Sequence, residues 1–334
     1  MSEQTSPRIQ KLHEIRSSLD DTMVLLSLHE VGAYGALVEG PATAEELAGR
    51  LGLVARRLKP FMELAAHLGL VQYEGGRFRL YEGDHCFFDP ALPHGVGLPS
   101  TPLETLFEVK GRGPAILRGL AAEQTPAAGG PSSAEARAKF LRYMDSVSRE
   151  AARELAELIP LSSARRIIDL GCGPGTYSYA ALERLPEARA LLVDRPEAGP
   201  EIGTIAAERG LAERVDFQAI DITRQELPPD QDLAILSNVV HCYSADSNEE
   251  ILARIARALA PGGCVLIRDC ALAADRSGPL DVLRFGVNMA ISTEEGAVYS
   301  AEEVIAWCRS AGLREIRSHP LGEQGHNYVV IGHR

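Results

Sequence analysis

The chain has 334 residues, enough for about two domains, and its 45% hydrophobic and 24% charged residues are the balance of a soluble globular protein. A net charge of −12, from 34 Lys and Arg against 46 Asp and Glu, works against nonspecific nucleic-acid binding, which depends on cations neutralising phosphates. No apolar run approaches the roughly 18–20 residues that cross a membrane. MSEQTSPRIQKLHE lacks the basic start and apolar stretch of a secretory signal. The expected location is therefore cytoplasmic.

Residues from Lys11 to Val38 read as one helix, with Leu12, Ile15, Leu19, Met23 and Leu26 at spacings of three and four. Val24, Leu25, Leu28 and Val31 widen the stripe, so the helix has two faces to bury, and a second copy of the chain is one way to cover them. Pro41 to Leu53 reads as a helix opened by Thr43 with Glu46 three residues later, the capping-box pattern, and closed at Gly52. A second helix runs from Ala55 to Leu68. LVQYEGGRFRLY then alternates around Glu74-Gly75-Gly76, a hairpin signal. Helix, turn, helix, hairpin is a winged-helix arrangement. Its basic and acidic residues nearly cancel, and the second helix carries Leu58, Phe61, Met62, Leu64, Ala65 and Leu68 rather than a base-reading face. It reads as a dimerisation and substrate-lid module, not as a DNA reader.

Pro- and Gly-rich sequence follows from Asp84 to Ser133, with a helical piece around Leu103 to Leu120 and a loop at Thr125 to Ser133. A long helix then runs from Ala134 to Pro160. The domains expected are residues 1–84, a linking region 85–160, and 161–334. In the last, RRIIDL, ALLVD, VDFQAID, LAILSN and CVLIRD are strand-like runs mostly separated by helices, the alternation of a parallel sheet covered on both faces. After a helix from Ala301 to Ala311, REIRSHP and HNYVVIGH are placed to pair antiparallel. Six cysteines, none in C-x-x-C spacing, read as reduced, mostly buried side chains.

The chemistry concentrates at Asp169-Leu-Gly-Cys-Gly-Pro-Gly175, after a strand and before a helix. Glycines admit close backbone approach, and a helix start offers free amides to an anion. The dinucleotide pattern G-x-G-x-x-G fails, because Thr176 stands where its last glycine belongs. Asp169 would repel a pyrophosphate but would pair with the amino group of a zwitterionic sulfonium ligand. Asp194 ends the next strand, where it would chelate both ribose hydroxyls. Asp221 follows the third, near an adenine edge. Three acids at consecutive strand ends beside a glycine loop lie where open α/β sheets bind ligands.

DLGCGPG, with a following strand ending in VDRP, resembles the S-adenosylmethionine-dependent methyltransferases. The subgroup it is similar to is the small-molecule O-methyltransferases of the caffeic-acid and hydroxyindole type, with their bacterial relatives from secondary metabolism. The likeness extends to Phe140-x3-Met144-x3-Ser148 on the long helix and to PGG-x-x-LI at Pro261 to Ile267, and so covers nearly the whole chain. It implies an α/β fold: a Rossmann-like seven-stranded methyltransferase sheet with its last strand antiparallel, and an N-terminal, mostly α winged-helix dimerisation domain. It also implies S-adenosyl-L-methionine as cofactor, a small-molecule substrate, a homodimer and no metal. The cofactor-binding set is then Asp169, Gly171, Gly173, Gly175, Asp194, Asp221, Ile222, Ser148 and Ser237. The substrate-binding set is Met144, Tyr243, Phe285, Asn288 and Met289.

His241 lies just past the fourth strand, read as Leu233 to Val240. In the plant-like relatives this position carries the histidine that deprotonates a phenol, oriented by an acid 28 positions later. Here that residue is Asp269. A carboxylate on one ring nitrogen fixes the tautomer and frees the other to accept a proton. Three departures stand out: Cys242-Tyr243 replaces the family's Asp-Trp, Val298 falls near the second supporting Glu, and Glu294 and Glu295 are expected in a mobile loop. Tyr243 keeps C-methylation open, because carbon-methylating relatives carry a similar Tyr-Ser-Ala run. N-methylation, regulation by a winged helix that senses S-adenosylmethionine, and chemistry without methyl transfer stay open as well. Cys242 and His241 are expected to point apart as neighbours on a strand end.

Overall fold

The computed structural model describes residues 7–84, 103–111, 113–118, 133–159, 164–321 and 326–334. The chain divides into two compact units, Met1–Glu108 and Val109–Arg334.

In the first unit, α1 (Pro7–Glu30) and α2 (Ala33–Val38) replace the single expected helix. The apolar stripe runs on without a gap, but Gly32 takes a left-handed φ of 79° and breaks the helix. α3 (Ala44–Leu51) opens on the predicted capping box: Thr43 accepts from the Glu46 amide, and Glu46 accepts from the Thr43 amide. Gly52 closes it in the left-handed region. α4 (Ala55–His67) follows, then β1 (Gln72–Glu74) and β2 (Arg77–Arg79), paired antiparallel. Gly75 and Gly76 both have positive φ, as a two-residue type I′ hairpin loop demands. Val24, Leu28, Tyr34, Leu47, Met62 and Phe78 form the core of this unit.

The helical piece expected over Leu103–Leu120 forms as two, α5 (Leu103–Gly111) and α6 (Gly113–Leu117). Of the loop read at Thr125–Ser133, all but Ser133 falls outside the described residues. α7 (Ala134–Leu158) packs against the second unit's core through Leu141, Ala152, Leu155 and Ala156.

That unit then alternates β3 (Arg166–Leu170), α8 (Thr176–Arg184), β4 (Arg189–Asp194), α9 (Gly199–Glu208), β5 (Val215–Ala219), β6 (Gln231–Ser237), α10 (Ala245–Ala258) and β7 (Leu259–Cys270). It ends with α11 (Leu280–Ser292), α12 (Ala301–Ser310), β8 (Arg314–Leu321) and β9 (Asn327–His333). The sheet order is β5-β4-β3-β6-β7-β9-β8. β3 to β7 pair in parallel, and β9 lies antiparallel between β7 and β8. The seven-stranded sheet with an antiparallel last strand is as the sequence implied.

Alternation along β6 shows why both faces are covered. Leu233 and Ile235 enter the core under α7, α8 and α9, while Ala234 and Leu236 enter the core under α10 and α12. β6 ends at Ser237, three residues before the expected end. Asn238 takes a left-handed φ of 58°, and its amide turns to the Arg268 carbonyl. The chain therefore enters a tight turn at Val240–Cys242, which carries His241 over the sheet's C-terminal edge.

Candidate functional site

The glycine loop joins β3 to α8 across the end of β4. The Gly171 and Cys172 amides both donate to the Val193 carbonyl, and Gly173 donates to Asp194 Oδ2 at 2.7 Å. Gly171, Gly173 and Gly175 all have positive φ. A Cβ on Gly171 would stand 2.7 Å from Val239 Cγ2, and one on Gly175 would stand 2.7 Å from the Tyr179 ring. The glycines at 171 and 175 are thus required twice, by conformation and by contact.

Asp169 is buried and accepts from Ser178 Oγ at 2.8 Å, so it ties β3 to the first turns of α8. Burial and the charge of Asp194 push its carboxyl up to about 7 against the pull of Ser178. A cation arriving beside it would relieve both effects. Asp194 accepts from Gly173 on one oxygen and from the Arg195 amide on the other, at 2.7 Å each. A carboxylate has about four lone-pair positions, so two remain for hydroxyls. Asp221 stands two residues past β5, half-exposed, and accepts from the Thr223 amide and hydroxyl. Ile222 beside it is core. Ser237, the last residue of β6, is buried, and its hydroxyl has no partner among the described residues. A buried orphan at the sheet's C-terminal edge, an excess of carboxylates and a loop stripped of side chains together fit a ligand with an amino group and a ribose. They do not fit a bare pyrophosphate.

On α7, Met144 is half-buried and Ser148 buried. Between them lies Asp145, a residue that sequence reasoning passed over. Its carboxylate is bound by Arg149 at 2.7 Å, Arg209 at 2.6 Å and Thr176 Oγ1 at 2.8 Å. Burial would raise this carboxyl, but the three donors outweigh it and hold it below its ordinary value. Thr176 is the first residue of α8, so Asp145 fastens α7 to the end of the glycine loop. The sequence signal, Asp145 four residues before Arg149, looks like a surface helix pair.

Across the edge, His241 Nδ1 lies 2.8 Å from Asp269 Oδ1. The His241 amide and the Cys270 amide also donate to that buried carboxylate. Burial alone would lower the imidazole, but the charge and hydrogen bond of Asp269 override it and hold it up at about 10. The paired Asp269 is held low despite its own burial. Phe285 of α11 meets the imidazole edge-on, with centroids 4.8 Å apart. Asn288, three residues on, accepts from the Lys110 ammonium, and Met289 is buried.

Two local expectations are corrected. His241 and Cys242 sit on a tight turn rather than a strand. Glu295 is tied down rather than mobile: it accepts from Ser244 Oγ and Ser247 Oγ at the start of α10. The Ala297 amide in the same loop holds the His241 carbonyl. Tyr243 is half-buried and packs against the core under α10 and α12. Its phenol is pushed up to about 12 by burial, then by Cys242, Asp221 and Asp194. Val298 is buried beside Val282 and Leu272. Among the described residues no group of three or more His, Cys, Asp or Glu is placed to hold a metal ion. No described helix is long and apolar enough to cross a membrane.

A seven-stranded sheet of this order, with acids at consecutive strand ends around a glycine loop, defines an S-adenosylmethionine-dependent methyltransferase. The chain belongs to the O-methyltransferase domain family, whose pattern matches residues 127–314. It is 30% identical to the 3-hydroxy-5-methyl-1-naphthoate 3-O-methyltransferase of Streptomyces sahachiroi, over 96% of this chain and 94% of that one. It is 28% identical to the tetracenomycin polyketide synthesis 8-O-methyl transferase TcmO of Streptomyces glaucescens, over 93% and 92%. Human N-acetylserotonin methyltransferase, solved in complex with S-adenosylmethionine, shares the fold with a TM-score of 0.80 at 22% identity, over 100% of this chain and 99% of that one.

Proposed function

We propose that this enzyme methylates a hydroxyl of an aromatic small molecule of secondary metabolism, with His241 as general base and Asp269 as its orienting partner. The observation that carries this reading is the buried His241–Asp269 pair at 2.8 Å, on the edge that also holds the glycine loop. The naphthoate and polyketide acceptors named for the two Streptomyces relatives support an aromatic acceptor.

Bound S-adenosylmethionine supplies a methyl group already activated on a sulfonium. Asp194 takes the ribose hydroxyls on its free lone pairs, and Asp221, with Ile222, flanks the adenine side. Asp169 and the loop of Gly171, Gly173 and Gly175 face the amino-acid end, with the orphan hydroxyl of Ser237 and with Ser148. On the acceptor side, Met144, Phe285, Asn288 and Met289 wall the ring. Asp269 holds Nδ1, which leaves Nε2 of His241 to take the hydroxyl proton as the oxygen attacks. Asp269 raises the basicity of the imidazole above its ordinary value, which strengthens it as the acceptor of a phenol proton. Positioning does most of the remaining work. Incubation with trideuteromethyl-labelled S-adenosylmethionine and 2-naphthol is expected to yield a labelled methyl ether. Label on ring carbon would instead establish C-methylation.

The pH dependence follows from the same pair. Only neutral imidazole accepts a proton, and Asp269 favours the charged form. The acid limb of kcat/KM therefore lies above the usual histidine range, with the rate still climbing past neutrality. In Asp269→Asn the limb moves to lower pH, although the plateau rate falls. A series of kcat/KM values from about pH 6 to about pH 10 reads both. A limb unmoved by Asp269→Asn would mean that His241 does not set it.

The N-terminal unit reads as a winged-helix dimerisation domain. Ile9, Leu12, Ile15 and Leu19 follow one another at spacings of three and four on α1, and each is about half-exposed or more in the single chain. A second copy that covers them makes a homodimer, because a patch of this kind is a liability in water. Light scattering is expected to give a mass near twice 36.0 kDa, and Ile15→Glu with Leu19→Glu to give a monomer. A monomeric unmodified protein at micromolar concentration refutes this. The described cysteines are free thiols, which suits the cytoplasmic location we infer.

A further inference from the structure

We propose that Lys110 and Asn288 form a carboxylate-recognition site, so that the acceptor is an aromatic acid carrying its hydroxyl on the same ring system. This rests on the O-methyl-transfer reading and adds to it the charge of the substrate.

Three observations converge. First, Asn288 and Phe285 are three residues apart on α11 and so share a helix face. Phe285 touches the His241 ring, so Asn288 lies about 4.5 Å further along the helix from the base. That rise is comparable to the span between a hydroxyl and a carboxylate on one aromatic ring.

Second, the partner of Asn288 is a cation brought from 178 residues away in the chain, the Lys110 ammonium on α5. An ammonium has three donors and the amide carbonyl takes one. The Asn288 NH2 group adds two more. Together they offer up to four free donors, with the one amide oxygen already engaged by the ammonium, a set that suits a carboxylate.

Third, the charge of Lys110 is not matched. In a chain of net charge −12, Lys110, like Lys59, forms no ion pair with a carboxylate among the described residues, whereas Lys11 and Lys139 each hold a glutamate. Lys110 is exposed in the single chain and so open to an arriving ligand, and partial desolvation lowers its pKa. An arriving anion supplies the missing partner, and a neutral phenol leaves the site as it is.

The test separates charge recognition from methyl transfer. Enzyme saturated with S-adenosylhomocysteine is titrated calorimetrically with 1-naphthoate and with 1-naphthamide, which differ in charge and little in shape. The unmodified enzyme is expected to prefer the acid by at least about tenfold, the equivalent of 1.4 kcal/mol. Lys110→Met is expected to abolish that preference, and Asn288→Asp, which places a carboxylate against Lys110, to reverse it. Lys110→Arg keeps the charge and is expected to retain most of the preference. Undiminished S-adenosylhomocysteine binding certifies that each variant is folded. No preference in the unmodified enzyme, or a Lys110→Met variant that loses acid and amide equally, overturns the proposal. Methyl transfer to 3-hydroxy-1-naphthoate is followed separately. Selective naphthoate binding without ether formation supports the anion site and overturns the hydroxyl acceptor. Ether formation with no acid preference overturns the anion site alone.

Discussion

Replacing His241 by alanine is expected to lower kcat by about 10²–10⁴-fold, the usual worth of a general base, while S-adenosylhomocysteine binds as before. The two effects separate because the proposed cofactor seat is Asp194 and the glycine loop, not His241. Asp269→Asn preserves shape but removes the charge that fixes the imidazole, and it is also expected to slow turnover. His241 and Asp269 work as one unit, so the double variant should be little worse than His241→Ala alone. Additive losses would mean that the two act independently. A His241→Ala protein that melts early yet turns over normally per folded molecule would make His241 structural, and would turn attention to Tyr243 and a carbon acceptor.

Asp194→Ala is expected to cost at least about tenfold in S-adenosylhomocysteine affinity by calorimetry. The carboxylate acts twice. It offers charge-assisted hydrogen bonds, roughly 1.5–3 kcal/mol each, and it anchors Gly173 at 2.7 Å. Asp194→Asn keeps an acceptor for the Gly173 amide but loses the charge, so it is expected to fall between the two. NADH is expected not to bind the unmodified enzyme. NADH binding in place of S-adenosylhomocysteine would overturn the assignment of the loop.

The parts of the site legible in the sequence are those written in local spacing. The glycine loop is seven contiguous residues, its acids end strands with clear apolar runs, and Asp269 closes a strand whose partner in register is β6. The capping box at Thr43–Glu46 and the Gly75–Gly76 turn are legible for the same reason. What stays hidden depends on contacts that sequence distance conceals. Gly32 breaks a helix whose apolar pattern runs straight through it. Asn238 ends β6 early because its amide finds Arg268 across the sheet. Asp145 looks like half of an exposed helix pair, and only the fold brings Arg209 and Thr176 to it. Lys110 and Asn288 lie on elements far apart in the chain, with nothing local to link them. Glu295 belongs to a segment without periodicity, and its partners Ser244 and Ser247 begin another helix.

Gly171 rests against Val239, where even one added carbon finds no room, and Val239 stands two residues before the histidine. The proposed seat of the methyl donor and the stem of the proposed base therefore share one van der Waals boundary. Their separation is set by the contact of the Gly171 backbone with the Val239 side chain. A methyl group at position 171 would act as a spacer between donor and base. Its kinetic signature would be a mixed one: weaker donor binding and a slower proton transfer from a single carbon atom that touches neither substrate.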